Sequence, residues 1–550
     1  MAQPQDIISI RNFIGGILPD LILYNGKLYT QDPNQLHASA IALRNGKILA
    51  VGNDTEIRAL AGSHTKQVNL EGRRVLPGLT DCHIHFYEWS LLLQGLTLED
   101  ASSLDDVLER VHTAAGQTKP GTWIVGQGWN QDRWPVSVLP ARSDLDKVAP
   151  DHPVILWRTD LHLAWANSQA LKAAGINANT QEPDMGVIER DASGQPTGIL
   201  RELAINLVRD VIPPQTDAQI DTAMRQTMAR VHKLGLTGVH DFRIMGGEDG
   251  PPALRAWQRL RADNELDLRA WVMIPGELLD EAITLGLQTG FGDEFLRIGG
   301  AKFFSDGATG PRTAWMLEPF EDAGTGLPLT PMNKMAEAIA KAHKAGISTA
   351  IHAIGDRAVR ELLDVFTEVT GELGNRSKPR IPHRIEHVQH SQPVDLKRLG
   401  PLGLVASVQP LHLSDDMNMI DKACGSRARW AYAFRDLLDA GTVLALGSDC
   451  PVASPNPFWG IHAAVTRQKR DGTPTGGWQP SQKLSLAEAV WGYTMGAAIA
   501  SGQENDLGSL TPGKLADLIV LDQDIFTVPP EQIYTTKVVM TIFNGRIVHQ

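Results

Sequence analysis

The feature that most constrains the fold of this chain is the alternation of short apolar segments with helical stretches. Such alternation is typical of parallel βαβ units. Eight strand candidates occur in order: VLPGLTDCHIH (75–85), GLTGVHDF (235–242), LRAWVMI (268–274), LRIGGAKFFSDG (296–307), ISTAIHAIGD (347–356), RIPHRIEHVQH (380–390), GLVASVQP (403–410) and TVLALGSDCP (442–451). They predict an α/β fold, a closed (β/α)8 TIM barrel with its active site at the carboxyl ends of the strands. A doubly wound open sheet is the alternative, but no GxGxxG follows a first strand.

Segments rich in β-forming residues stand near both ends of the chain. They are LILYNGKLYT (21–30), IALRNGKILAVGND (41–54), ADLIVLDQD (516–524) and VVMTIFNGRIVHQ (538–550). Three of them contain Asn-Gly, the strongest short signal for a hairpin. Because a lone hairpin is only marginally stable in water, we expect the two ends to form one β-sandwich.

The interval between the first two strand candidates is far longer than one barrel unit requires. It contains strand-like and helical runs of its own, including GTWIVGQGWNQDRWP (121–135) and PVILWRTDLHLAWANSQAL (153–171). We therefore predict an inserted α+β subdomain rather than a long unstructured loop. The predicted division is 1–74 and 508–550 for the sandwich, 75–89 and 235–507 for the barrel, and 90–234 for the insert.

Charge and cysteine content exclude some classes of protein. The net charge of -12 argues against nonspecific nucleic-acid binding, which needs a clustered basic surface. No segment approaches the roughly 20 uninterrupted apolar residues of a membrane span, and MAQPQDIISIRNF lacks the pattern of a secretory signal. Three cysteines are too few for a disulfide framework. We expect a cytoplasmic protein with no membrane or nucleic-acid partner.

Two histidines, His83 and His85, are separated by one residue at the end of the first strand candidate. Alternate side chains of a strand face the same side, so both imidazoles should point the same way, which suits a metal ion. A chance HxH is not rare among 17 histidines, and the pair alone is weak evidence. Residue types that bind metals recur at the other strand ends, however: Asp81, Lys302, His352, His383, His387, His390 and Asp449.

Each of these residues also has a structural interpretation. Lys302 could extend to the surface, although its apolar neighbours imply burial, and a buried lysine needs a partner or a lowered pKa. Asp449 could cap the following helix. His383 and His387 are an even number of positions apart, so spacing alone cannot choose between them.

The combined motifs resemble those of the amidohydrolase superfamily, specifically the amidohydrolase-3 branch that includes N-substituted formamide deformylases. The motifs are VLPGLTDCHIH, AKFFSDGATGPRTA, AIHAIGDRAV, RIEHVQ, ALGSDCPV and GSLTPGKLADLIVLD, in this order. The resemblance runs over nearly the whole chain from about residue 20, and the combination is highly specific. It implies a metal-dependent (β/α)8 barrel with a β-sandwich built from both termini.

The resemblance also implies a ligand set. His83 and His85 would hold one metal ion with Asp449, and His352 and His387 would hold a second. Lys302, as a carbamate (N6-carboxylysine), would bridge the two ions; without the carbamate a single-metal site is expected. The RIEH match selects His387 and leaves His383 and His390 as structural or outer-shell residues.

Imidazole and carboxylate ligands without thiolate favour zinc, with manganese, iron or cobalt as alternatives. We expect a metal-activated hydroxide to attack the substrate carbonyl. Asp449 would accept the proton of the water and deliver it to the leaving nitrogen.

Substrate contacts are predicted from loops that face the same end of the barrel. In the insert the candidates are Trp129, Asp132 and His162; after strand four they are Asp306 and Arg312; after strand seven they are Gln409 and His412. Packing within the insert is an equal alternative for Trp129. For Arg312, the alternative to a clamp on a buried anion or carbonyl is a surface ion pair.

These observations predict a hydrolase that cleaves a non-peptide carbon–nitrogen bond, amide or N-formyl/N-acyl, of a small molecule. Deamination or ester or carbamate cleavage on the same scaffold is the first alternative. Related deaminases carry a Glu near the strand-five histidine, whereas His352 is followed here by AIGDRAV. A noncatalytic binding protein is a second alternative, since fold alone does not establish function. A homodimer is compatible with the sequence because barrels often dimerise.

Overall fold

A closed barrel of eight parallel strands forms the centre of the molecule. The computed structural model describes residues 18–159, 161–184, 186–244, 250–373 and 379–550. Barrel strands 1 to 8 are Leu79–Ile84, Leu236–Asp241, Arg269–Pro275, Leu296–Phe304, Thr349–Ala353, Arg384–His387, Val405–Val408 and Val443–Leu446, paired in that order. Backbone bonds close the ring: Asp449 N–H donates to the carbonyl of His83 (2.6 Å) and His85 N–H to that of Cys450 (2.9 Å). The predicted TIM barrel is confirmed.

Helices cover the outside of the barrel, which explains why its strands read as continuous apolar runs. Barrel strands 2 and 3 are buried at every position, since one face fills the interior and the other packs under helices. These helices are Phe86–Leu92, Asp217–His232, Gly250–Ala262, Leu279–Thr284, Met332–Ala345, Asp356–Leu373, Pro393–Leu399, Pro410–Cys424, Phe434–Asp439, Pro457–Thr466, Leu486–Gly492 and Met495–Ala500. None of the helices in the described residues is long and apolar enough to cross a membrane.

Helix Asp217–His232 belongs to the barrel wall, although the sequence-based division placed it in the insert. It begins with a capping box between Thr216 and Gln219. Its buried face, which includes Met224 and Met228, joins the main core of the barrel. The insert therefore ends before this helix.

The insert is a six-stranded mixed sheet with helices packed on it. In spatial order its strands are Gly186–Arg190, Pro196–Glu202, Leu163–Ala166, Val154–Arg158, Ile124–Trp129 and Leu96–Thr97. Its helices are Leu104–Gln117, Arg142–Val148, Ser168–Ala173 and Asn206–Arg209. Alternate residues of one strand enter different apolar clusters, Leu156 on one face and Trp157 on the other. The sheet is thus buried on both faces.

The two ends of the chain form two further sheets that pack together. One consists of Lys47–Gly52, Ala40–Arg44, Leu21–Tyr24 and Lys66–Asn69. The other takes three strands from each end: Arg546–His549, Val538–Phe543, Leu518–Leu521, Arg74–Pro77, Lys27–Tyr29 and His37–Ala38. Leu23 of the first sheet shares an apolar cluster with Val520 of the second, and helix Asp54–Arg58 packs on the first. Residues 1–17 of the predicted sandwich lie outside the described residues.

Candidate active site

The first barrel strand brings two imidazoles to the carboxylate that follows strand 8. Nε2 of His85 lies 3.0 Å from Oδ1 of Asp449, and Nε2 of His83 lies 3.5 Å from the same oxygen. The ligand atoms of these three buried residues all lie within 4.8 Å of one another. Cys82, between the histidines, points away from them into a small cluster with Val405 on the outer side. Strand alternation therefore places the pair as the sequence predicts.

Two more imidazoles adjoin this group. The ring of His387 lies 5.0 Å from that of His83, and the ring of His352 lies 4.6 Å from that of His387, both between centroids. Lys302 is buried, with Nζ 4.9 Å from the ring centre of Phe242 and 4.8 Å from that of Phe304. The structure thus brings all six predicted metal ligands to the carboxyl ends of the barrel strands.

Two of the predicted ligands have a left-handed backbone that non-glycine residues seldom adopt. The φ angle is +61° at Asp449 and +74° at His387. Asp81 anchors the loop of Asp449: its carboxylate accepts hydrogen bonds from Oγ (2.5 Å) and the N–H (2.9 Å) of Ser448. Strained backbone of this kind concentrates at functional sites, where the surrounding structure holds it in place.

In three histidines, a carboxylate or carbonyl oxygen determines which ring nitrogen carries a proton. Nδ1 of His83 donates to Glu386 (2.7 Å), Nδ1 of His85 donates to the Phe242 carbonyl (2.9 Å), and Nε2 of His352 donates to the Gly307 carbonyl (3.0 Å). In each neutral ring the other nitrogen must then present its lone pair. The lone pair of His83, and that of His85 in its neutral form, consequently face a carboxylate oxygen. Such a set of acceptors fits a cation bound between them.

Burial keeps most of these imidazoles neutral. It lowers the pKa of His83 to about 4 and that of His387 to about 3, and it holds the pKa of His352 well below its ordinary value. Burial also lowers the pKa of His85, but its contact with Asp449 outweighs this and the net shift is upward. Burial lowers the pKa of Lys302 to about 8.

The carboxylates of Asp449 and Glu386 remain ionised. Burial alone would raise the pKa of Asp449, but the neighbouring histidines hold it well below its ordinary range. Burial would also raise the pKa of Glu386, but Arg384 and His83 hold it well below its ordinary value. The centre therefore combines these ionised carboxylates with the neutral imidazoles of His83, His352 and His387.

Gln409 and His412, predicted as substrate contacts, lie beside this centre. Oε1 of Gln409 accepts from Nδ1 of His387 (2.8 Å), and Nε2 of His412 lies 3.9 Å from Oδ2 of Asp449. Among the described residues, neither Nε2 of Gln409 nor Nε2 of His412 has a hydrogen-bond partner, although both atoms are buried. Both atoms thus keep unused hydrogen-bonding capacity next to the predicted metal ligands.

Two other predicted contacts organise loops instead. The buried carboxylate of Asp306 accepts hydrogen bonds from the backbone N–H groups of Trp315, Ile354 and Gly355. Arg312 forms a two-bonded ion pair with Asp322 (2.8 and 2.9 Å), which matches the surface alternative. These contacts favour a structural role for both residues, and their contact with a substrate stays a prediction.

The three candidates in the insert make contacts within the insert. Trp129 is fully buried, with Nε1 donating to the carbonyl of Leu156 (2.8 Å), which favours packing within the insert over contact with a substrate. The largely exposed Asp132 pairs with Arg158 at 2.6 Å. Nδ1 of His162 lies 2.7 Å from Glu202.

The two histidines predicted to be structural or outer-shell residues make buried contacts of their own. Nδ1 of His383 accepts from the N–H of Thr349 (2.9 Å). Nε2 of His390 lies 3.0 Å from Oγ1 of Thr309.

Sequence reasoning missed Glu386 and Phe242, both in direct contact with His83. In a regular strand Glu386 and its neighbour His387 would face opposite sides. The left-handed backbone at His387 lets both side chains approach His83, and alternation gives no sign of that. The available signal was the glutamate of RIEH itself, an ionisable residue two positions after Arg384 and next to a predicted ligand in a barrel strand.

The amidohydrolase family model (Amidohydro_3) matches residues 66–549. Protein LONG AFTER FAR-RED 3 of Arabidopsis thaliana is 38% identical over 522 residues, covering 92% of this chain and 88% of that protein. N-substituted formamide deformylase of Arthrobacter pascens is 28% identical over 541 residues, covering 96% and 97%. The crystal structure of an uncharacterized metal-dependent hydrolase from Pyrococcus horikoshii matches with a TM-score of 0.76 at 28% identity, covering 93% and 99%.

Proposed function

The chain belongs to the amidohydrolase family, and from this premise we propose that it hydrolyses the amide bond of a small N-formyl or N-acyl compound. As a member it is a metal-dependent hydrolase of carbon–nitrogen bonds. The observation that carries the proposal is the group of His83, His85 and Asp449, in which the Nε2 atoms of two imidazoles converge on one carboxylate oxygen. That arrangement suits a cation and leaves a carboxylate in contact with it.

We assign the ion as zinc or another divalent transition metal, because nitrogen and oxygen donors without thiolate match that class. His83, His85 and Asp449 would hold it, with His387 and His352 beside them. When bound, the ion supplies Lewis acidity, which polarises a carbonyl and makes a water molecule more acidic.

The chain supplies the proton transfers and the orientation of the substrate. Asp449 accepts the proton of the attacking water through its carboxylate and delivers it to the leaving nitrogen, so that an amine and a carboxylate are released. Nε2 of Gln409 and Nε2 of His412 are the buried atoms left to donate to the substrate oxygen. Hydrogen bonds to that oxygen favour the hydrolytic transition state because negative charge develops there.

The N-formyl and N-acyl classes are proposed on the similarity to the Arthrobacter pascens deformylase, which extends over almost all of both chains. The test is a substrate screen of the protein loaded with zinc or manganese. It compares N-formyl amines and N-acyl amino acids with cyclic amides, carbamates, esters and aminopurines. We expect formate or another carboxylate, together with an amine, from the first two classes.

Other products in this screen would reassign the activity. Ammonia released from an aminopurine, with no carboxylate formed, would identify a deaminase, and cleavage of esters alone would identify an esterase. A protein that binds neither ion and turns over no compound would be a noncatalytic member of the family.

We further propose that Lys302 carries a carbamate when two ions are bound. Its burial and its pKa of about 8 make the neutral amine accessible, and the amine adds to carbon dioxide with loss of one proton. The product is a carboxylate-like group that can bridge two metals. Bicarbonate during metal loading should raise the metal content of the wild type from one ion towards two, but not that of Lys302→Met. Equal metal content with and without bicarbonate would contradict the bridge.

The three cysteines support the proposal of a reducing, cytoplasmic compartment. Cys82, Cys424 and Cys450 are all buried and none of them forms a disulfide. In secreted proteins, disulfides are the common use of cysteine.

A further inference from the structure

Behind the first barrel strand, the fully buried carboxylate of Glu386 receives the hydrogen bond from Nδ1 of His83 at 2.7 Å. A carboxylate can only accept here, so the proton of this imidazole must sit on Nδ1. The lone pair on Nε2 then points to the side where Asp449 lies 3.5 Å away. One contact therefore sets both the tautomer and the ring direction of His83.

Arg384 holds the carboxylate of Glu386 in place. Its Nε and a terminal nitrogen reach the two oxygens of Glu386 at 2.6 and 3.0 Å, a two-bonded pair inside the barrel. The guanidinium also donates to the carbonyl of Cys82 (2.6 Å), to Oγ of Ser407 (2.7 Å) and to Nδ1 of His240 (2.8 Å). Arg384 thus ties strand 6, which carries it, to strands 1, 2 and 7.

Folding stability alone does not account for this buried ion pair. An ion pair taken out of water gains little stability over apolar residues of similar size, because desolvation offsets the Coulomb attraction. Here both side chains are almost completely buried, at 3% and 0% exposure. The carboxylate oxygen that faces His83 is the part of the pair that reaches the proposed metal centre.

We propose that Glu386, oriented by Arg384, is a positioning residue that fixes the Nδ1–H tautomer of His83 and thereby sets the affinity of the site for its metal ion. The inference rests on the proposed metal centre and assigns a determinant of that centre outside its ligands. The negative charge of Glu386 also makes the imidazole a stronger donor to a cation. Loss of such a partner typically costs about 10- to 100-fold in metal affinity.

The test is the variant Glu386→Gln, which keeps the size and one acceptor oxygen but removes the charge. Zinc and cobalt affinities are measured by competition with a chelator, and the absorption spectrum of the cobalt form reports the ligand field. We expect binding about 10- to 100-fold weaker and an altered cobalt spectrum. Both readouts are independent of turnover.

Asp517→Asn is the matched control. Asp517 pairs with Arg269, and the side chains are 4% and 5% exposed, a burial close to that of the Glu386 pair. The Asp517 pair joins the C-terminal part of the chain to the start of barrel strand 3, at the amino end of the barrel. This variant should lose stability as Glu386→Gln does, yet keep the wild-type metal affinity and cobalt spectrum.

A second variant covers the case in which Glu386→Gln does not fold. The double variant Glu386→Gln with Arg384→Met leaves no uncompensated charge, and replacing both members of a buried pair is often tolerated. It should show the same weakened metal binding.

Folded Glu386→Gln or the folded double variant with affinity within threefold of wild type would overturn the inference. Loss of affinity in Asp517→Asn equal to that in Glu386→Gln would also overturn it, because the effect would then be general destabilisation. A wild-type protein that binds neither zinc nor cobalt would overturn the proposed function together with this inference. A wild type that binds metal, with variants that bind it equally well, would overturn only the inference.

Discussion

The ring of Phe242 lies parallel to the imidazole of His83, with centroids 3.9 Å apart and 3° between the planes. The backbone carbonyl of the same residue accepts from Nδ1 of His85 at 2.9 Å. The residue that follows barrel strand 2 thus orients both imidazoles of the HxH pair, one by stacking and the other by a hydrogen bond. We therefore predict that Phe242 contributes to metal binding without being a ligand.

Replacing Phe242 by Leu should weaken metal binding about two- to tenfold. The substitution keeps an apolar side chain and the carbonyl, but it removes an aromatic stack worth roughly 0.5–1.5 kcal/mol, so His83 loses orientation. Chelator competition measures the effect. Phe458→Leu, at another buried position in helix Pro457–Thr466, is the control and should leave the affinity unchanged. Equal affinities in all three proteins would show that the stack has no part in positioning His83.

Replacing Asp449 by Asn should reduce turnover per bound metal ion by about 10²- to 10⁴-fold, the usual contribution of a general acid–base group. The amide keeps the size of the carboxylate but cannot accept and return a proton. Metal content is measured on the same sample, because Asp449 is also a proposed ligand. Asp395→Asn, which breaks a buried carboxylate–arginine contact on the outer helix Pro393–Leu399, should keep the wild-type rate per metal. An Asp449 variant with most of the wild-type rate would remove the residue from its role.

The barrel was predictable because its pattern is local and repeated. Each strand is a short apolar run, and the side-chain period of two places His83 and His85 on one face whatever the tertiary structure does. Position on a strand end then predicts where Lys302 and His352 lie, since parallel strands share one carboxyl edge. No long-range contact is needed for these steps.

Where the sequence leaves alternatives open, contacts outside the local strand pattern favour one of them. Trp129 has an apolar body and a polar N–H, so its residue type fits a pocket wall as well as a protein core. The folded structure is needed to show that this N–H donates to the carbonyl of Leu156. Arg312 becomes a surface pair because Asp322, ten residues later, folds back against it. Glu386 approaches His83 together with His387 because the backbone is left-handed at His387, which strand alternation does not predict.

Replacing Trp129 by Phe should cost stability and leave substrate binding intact. The smaller ring loses the hydrogen bond to the Leu156 carbonyl and leaves a gap in the core, at a cost of about 1–3 kcal/mol. Urea unfolding measures the loss, and KM for the substrate found in the screen should stay within about twofold, because the side chain is fully buried in the insert core. A tenfold rise in KM at an unchanged stability would return Trp129 to the substrate pocket.

Replacing Asp524 by Asn should loosen the sandwich that the two chain ends build. Arg74 makes two bonds of 2.8 Å to this carboxylate, and both side chains are about one-tenth exposed. Removing one member of a largely buried pair should cost about 2–4 kcal/mol in urea unfolding. Lys27→Met removes the exposed partner of the same carboxylate, 3.5 Å away, and should cost less than about 1 kcal/mol. Equal losses in the two variants would mean that Arg74 does not join the ends.

Replacing His390 by Gln should flatten the acid dependence of stability. Burial lowers the pKa of His390 from 6.5 to about 4 in the folded protein. As the pH falls through 6.5, the unfolded chain takes up the proton before the folded protein does. The contribution of neutral His390 to the free energy of unfolding is therefore fully present above pH 6.5 and is lost as the pH falls towards 4. The loss approaches about 3 kcal/mol, and glutamine, which can still bond to Thr309, does not titrate. Urea midpoints at pH 7 and 4.5 measure the difference. His64→Gln, at an exposed position, is the control and should lose as much stability between pH 7 and 4.5 as the wild type does. An equal loss in His390→Gln would exclude His390 as a source of the acid dependence.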